Sequence, residues 1–152
     1  MRKQTYSITK KLTLFVVTNV IAVSSFMGIN QVLANNYTDT SFGYSFNGDG
    51  SDIGTSMRAK QDSSASYVFN NATNSATINV AVAGSKTYSS VSPALGPNDY
   101  KSSYYVVKTG NRKYITNSMY PTCKYAFLVL STYDGRAHYI SGKWSPDNCS
   151  GY

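Results

Sequence analysis

The chain of 152 residues contains no glutamate, a single histidine, two cysteines and one tryptophan. One imidazole rules out a multi-histidine metal centre. Seven scattered aspartates offer no obvious pair of acids with separated pKa values, which carboxylate-based hydrolysis requires. Cys123 and Cys149 form no C-x-x-C motif, so a redox or zinc role has little support. Charged residues are only 14% of the chain, which is wrong for a disordered acidic or basic tail. No heptad and no sustained 3.6-residue apolar period follows residue 35, which excludes a helical bundle. Nothing implies a cofactor.

What remains is a chain with 14 tyrosines, 11 glycines and many Ser, Thr and Asn. Such side chains fit a pleated, half-buried surface. The length allows one domain.

Residues 1–34 carry Arg2, Lys3, Lys10 and Lys11 and no acid. An apolar stretch, 12–23, follows, and a polar region then ends in Val32-Leu33-Ala34. This order predicts a cleavable secretory signal, cut between Ala34 and Asn35. The apolar run is about a dozen residues, interrupted by Thr13, Thr18 and Asn19, and falls short of the roughly 20 that a membrane span needs. The product expected is a released, extracellular domain, 35–152, without a transmembrane segment.

Cleavage leaves ten bases against seven aspartates, a net charge of +3 in place of +7. Residues 35–85 sum to −2 and residues 86–152 to +5. A basic half on a secreted chain favours an anionic cell-wall polymer or a surface glycan, and nucleic acid is disfavoured as a partner. The bases are spread along the half, so plain solubility is the competing reading.

Alternation marks the strands. Phe42, Tyr44 and Phe46 share one face of 41–46, and a loop rich in Gly and Asx follows at 47–52. A weaker strand is expected around 56–60. Runs 66–69 and 76–83 are expected to form a hairpin across 70–75, with Ala76, Ile78, Val80 and Val82 on one face. Residues 92–99 form the longest irregular connection. Runs 104–108 and 113–117 flank a Gly110-Asn111 turn.

The last hairpin is expected from 125–132 and 137–144 around Asp134-Gly135, a favoured pair for a type I′ turn. That register sets Tyr125 opposite Trp144, Phe127 opposite Gly142, Val129 opposite Ile140 and Ser131 opposite His138. It also brings Cys123 and Cys149 to one open end, where a single disulfide is expected. The fold class is therefore all-β, a small antiparallel sandwich of about seven strands.

His138 is the only imidazole available to a serine triad, but Ser131 lacks the glycines of a nucleophile elbow. The run 47–58 begins like a calcium loop, yet Arg58 stands where a bidentate Glu is needed and the sixth position lacks Gly. Neither supports an enzyme or a metal protein. Tyrosines interleaved with bases are the remaining candidates, since rings stack on sugars while charge holds an anionic backbone. Around one turn these are Tyr104, Tyr105, Lys108, Arg112, Lys113 and Tyr114. Buried strand tyrosines with wet hydroxyls are the structural alternative.

The closing run Ile140-Ser-Gly-Lys-Trp-Ser-Pro-Asp147 resembles the C-terminal segment of a family of small secreted Gram-positive proteins, domain-of-unknown-function family 2712. Tyr44-Ser45-Phe46 in a first strand, with Arg58 and Lys60 in a second, extends the resemblance. The family implies an extracellular β protein with no assigned activity and no catalytic residue to transfer; the two cysteines lie outside its pattern. The expected role is non-catalytic binding at the cell envelope. A secreted antimicrobial or toxin-like protein is the second reading, and a small hydrolase using His138 the third.

Overall fold

The computed structural model describes residues 36–90 and 99–148. The signal segment, the Ala34–Asn35 cleavage site and Cys149 lie outside them. Among the described residues there is no helix, and nine strands run in order: β1 (Thr40–Phe46), β2 (Ile53–Gly54), β3 (Arg58–Ala59), β4 (Ser66–Asn70), β5 (Ile78–Ser85), β6 (Tyr105–Val107), β7 (Arg112–Ile115), β8 (Tyr125–Ser131) and β9 (His138–Ser145). All pairings are antiparallel. One sheet has the order β1-β9-β4-β7. The other has β2-β8-β5-β6, with β3 also paired to β8. β2 and β3 are two short pieces of one edge, both paired to β8; counted as one they leave eight strands, one more than expected.

The two sheets close over one apolar core. Phe42, Phe46, Val68, Ile115, Ile140 and Trp144 come from the first sheet; Ile78, Val80, Val82, Leu128 and Leu130 come from the second. The expected faces of β1 and β5 both point into this core. Opposed inner faces with interdigitated side chains define a β-sandwich. The far side of β5 is buried as well. Ala81 and Ala83 pack with Met57, Phe127 and Val129 in a second cluster flanked by Tyr100 and Tyr125. Part of its cover comes from the connection after β5, where Tyr88 packs on Tyr125 at 5.5 Å between ring centroids.

Neither expected hairpin forms, and the two strands that flank the Gly110-Asn111 turn do not pair with each other. β4 pairs with β9 and β7 and not with β5, β6 pairs with β5 and not with β7, and β8 pairs with β5 and not with β9. Each tight connection carries the chain from one sheet to the other. At 132–137 the reason is visible in the backbone: Gly135 has φ 70°, but Asp134 is not in the positive-φ region that a type I′ turn demands of both residues. Partner choice is then made by side-chain fit. Phe42, not Phe127, lies opposite Gly142, and a Cβ on Gly142 would collide with the Phe42 ring and the Phe69 carbonyl. Phe127 instead sits opposite Ala83.

The rearranged topology also moves the cysteine argument. Cys123 is buried, packed against Gly84, and bonded to no other cysteine among the described residues. The expected bond to Cys149 is not shown, because that residue falls outside the described chain.

Candidate functional site

A β-sandwich presents two outer faces, and here they differ. The outer face of the second sheet is occupied by the second apolar cluster. The outer face of the β1-β9-β4-β7 sheet is open among the described residues. Alternation puts Ser41, Gly43 and Ser45 of β1 on it, with Tyr139 and Lys143 of β9, Tyr67 and Phe69 of β4, and Arg112 and Tyr114 of β7. Their neighbours Phe42, Val68, Ile115 and Ile140 point the other way, into the core.

On this face the aromatic and basic groups are paired across strands. Tyr67 and Tyr114 are cross-strand partners with ring centroids 5.4 Å apart. The Arg112 guanidinium lies 5.9 Å from the Phe69 ring centroid, within cation–π range. Lys143 is the partner of Phe69 on its other side. Tyr139 lies across Gly43, where a side chain would meet its hydroxyl and ring. Desolvation, with the charge of Asp39 next, raises the Tyr67 phenol above its ordinary value, so the ring stays neutral under physiological conditions. The result is a shelf of rings with two cations beside it and the serines of β1 at one edge.

The six residues singled out from the sequence do not form one cluster. Arg112 and Tyr114 belong to the open face. Lys113 points to the opposite side of β7, and its ammonium caps the Tyr105 ring at 5.1 Å where the edges of the two sheets meet. Lys108 is exposed on the turn before Arg112, its carbonyl accepting the Asn111 N–H at 3.0 Å. Tyr104 belongs elsewhere. Its hydroxyl and that of Tyr100 each donate to Asp52 at 3.0 Å, and the two rings stand 5.7 Å apart. Tyr67, Phe69, Tyr139 and Lys143 were missed. The run 66–69 was expected as a strand, but nothing in the sequence set β4 beside β7.

His138 is not beside Ser131. Its Nε2 meets Asp134 Oδ2 at 2.5 Å, four residues earlier, while Ser131 lies in the other sheet opposite Asn79. The hydrogen bond from His138 holds Asp134 below the ordinary carboxylate range. In the loop that resembles a calcium site, Asp49 accepts the Ser51 N–H at 2.9 Å. No group of three or more His, Cys, Asp or Glu side chains able to hold a metal occurs among the described residues.

Of the residues that carried the family resemblance, Arg58, Lys60, Trp144 and Asp147 meet at one end of the sandwich, and Tyr44 lies further along β1. Tyr44 is the cross-strand partner of Ile140. The Arg58 guanidinium lies over the Trp144 ring, 5.6 Å from its centroid. Lys60 and Asp147 form an ion pair at 2.9 Å with both side chains fully buried. Arg58, Lys60, Trp144 and Asp147 tie sheet to sheet and serve the fold, whereas Lys143 of the same closing run stands on the open face. No helix of the described residues is long and apolar enough to cross a membrane.

The fold and face define an all-β sandwich with an open aromatic and basic sheet surface. The chain belongs to DUF2712, a family described as protein of unknown function, whose model matches residues 30–148. No curated protein and no solved structure matches the chain.

Proposed function

We propose that the protein is a secreted, non-catalytic binding module that acts at the Gram-positive cell envelope, with an anionic cell-wall polymer as its ligand. The basic start and short apolar run of residues 1–34 support secretion. The observation that carries the binding reading is the open face itself, where Tyr67, Phe69, Tyr114 and Tyr139 stand with Arg112 and Lys143. Rings in a row accept sugar faces by stacking, and the two cations attract a phosphate or carboxylate backbone. An expected Cys123–Cys149 disulfide suits the same compartment.

Retention of the purified protein on washed Gram-positive cells and isolated wall, measured across a salt series, tests this. Retention that weakens steeply with salt is the expected result. Stacking of one ring is worth roughly 1–3 kcal/mol at comparable nucleic-acid sites, so Tyr114→Ala should weaken retention about tenfold or more. Arg112→Ala should flatten the salt dependence. Undiminished retention in both variants overturns the assignment to this face. Absence of retention at any salt overturns the envelope reading, and killing of the cells would replace it with a toxin-like role.

A further inference from the structure

Lys60 and Asp147 are an unusual pair in a chain otherwise sparing of charge. Lys60 follows β3 at the edge of one sheet, and Asp147 follows β9 in the other. Both side chains have no exposed surface. The Lys60 Nζ donates to the Ser64 carbonyl at 2.5 Å and to the Pro146 carbonyl at 2.7 Å. A neutral amine has two N–H bonds, and these two carbonyls use both. The third direction faces Asp147, whose Oδ1 stands 2.9 Å away as the other half of the ion pair. Its Oδ2 is fixed instead by the N–H groups of Asn36 at 3.2 Å and Gln61 at 3.0 Å. A second carboxylate, Asp62 Oδ1, lies 3.8 Å from Nζ. Asp62 accepts the N–H and hydroxyl of Ser64, which fixes its position.

We propose that Lys60 and Asp147 condense into an intramolecular isopeptide bond that staples the two sheets covalently, with Asp62 as the proton carrier. Transfer of one proton from the ammonium to Asp147 leaves a neutral amine beside a neutral carboxylic acid. The Nζ lone pair attacks Asp147 Cγ, forming the C–N bond and a tetrahedral centre. Asp62 takes the remaining excess proton from nitrogen and delivers it to the departing hydroxyl, so that one water leaves and the amide is complete. No oxidant, metal or co-reactant enters.

The site has the two features such a condensation needs. Fixed approach of the reacting atoms replaces an improbable bimolecular encounter, which in well-oriented intramolecular cases amounts to effective concentrations on the order of 10⁵ M or more. Burial removes the water that would favour hydrolysis. Burial also raises the Asp62 carboxyl, but the Ser64 hydroxyl and N–H with the Lys60 ammonium outweigh it, so Asp62 is held as the carboxylate that can receive a proton.

Peptide mass mapping of the full chain, folded, then denatured, reduced and alkylated before trypsin digestion, tests the bond. The expected product is peptide 59–86 joined to peptide 144–152, lighter than the sum of the two by one water and uncut after Lys60. Recovery of peptides 61–86 and 144–152 as separate species overturns the proposal and leaves a buried ion pair. Lys60→Arg should restore the separate 144–152 peptide. Asp147→Asn, if it links, should yield the same joined mass with ammonia lost in place of water, which an ion pair cannot mimic. Asp62→Asn should slow or abolish linkage in protein that still folds by circular dichroism. Full linkage in that variant overturns the role given to Asp62.

Discussion

Arg58 lies over Trp144: its guanidinium is 5.6 Å from the ring centroid and donates to the Trp144 carbonyl at 3.1 Å. The same group donates to the Thr38 carbonyl at 2.6 Å and to the Asn36 side chain at 2.5 Å. One side chain thereby ties the entry to β1, the end of β9 and the β3 edge. A hydrogen bond to a charged group contributes about 1.5–3 kcal/mol, so Arg58→Ala should lower the unfolding free energy by about 2–3 kcal/mol in a urea titration. Lysine cannot reproduce a planar fork that stacks and donates to three acceptors. Arg58→Lys should therefore recover less than half of the loss, and full recovery would reduce the contact to simple charge.

Gly142 is required by its neighbours and not by its backbone angles. A Cβ there would meet the Phe42 ring, its cross-strand partner, and the carbonyl of Phe69 on the other side. A ring can yield, but a carbonyl in a ladder cannot without breaking the pairing. Gly142→Ala should cost at least the 1–3 kcal/mol typical of overpacking, as an order-of-magnitude figure. Phe42→Leu should relieve only part of this in the double variant, because the Phe69 carbonyl remains. A fully additive double variant, measured by the same urea titration, would show that the ring contact does not matter.

These two contacts also show how far the sequence could be read. Alternation identified the inner faces of β1 and β5 because burial of one side forces a period of two in polarity. It could not identify partners. An aromatic lying over Gly142 was expected, but the ring is Phe42, a hundred positions away in the sequence, and not Phe127 from the preceding strand. Asp134-Gly135 has the composition of a tight hairpin, yet a reversal of direction is compatible with staying in a sheet or crossing to the other. What decides is whether both faces of β8 can be buried. β8 pairs with β5 over seven positions, with Phe127 and Val129 in one apolar cluster and Leu128 and Leu130 in the other. The open face was half legible for the same reason: Arg112 and Tyr114 stood out locally, whereas Tyr67 and Phe69 join them only through the β4–β7 pairing. Tyr104 was read as part of that surface, but Asp52, on a distant loop, claims its hydroxyl.

The disulfide has a direct test. Cys123 is buried beside Gly84, and Asn148, one residue before Cys149, is fixed by its N–H on the Ser64 hydroxyl at 2.8 Å. Closing the loop between the two cysteines is worth roughly 3–4 kcal/mol in the chain-entropy model. Non-reduced protein should therefore show no free thiol after denaturation, and a reducing agent should lower its Tm markedly. Two titratable thiols with an unchanged Tm would leave Cys123 as a small apolar core residue.

The Asp52 cluster should govern behaviour at high pH. Burial, followed by the hydrogen bonds among Tyr100, Tyr104 and Asp52, raises the Tyr104 phenol far above its ordinary value of 10.0, and Tyr100 is raised as well. A phenol whose folded pKa exceeds its unfolded value stabilises the fold fully below the unfolded value, and that contribution is lost as pH rises beyond it. Stability should thus fall as pH climbs past 10. In an ultraviolet titration, two tyrosines of the native protein should ionise only at pH values that also unfold it. Asp52→Asn removes the carboxylate charge that opposes a phenolate, so both phenols should ionise earlier and the alkaline loss of stability should flatten. Identical titration curves for the two proteins would mean that desolvation alone, and not the carboxylate, holds those protons.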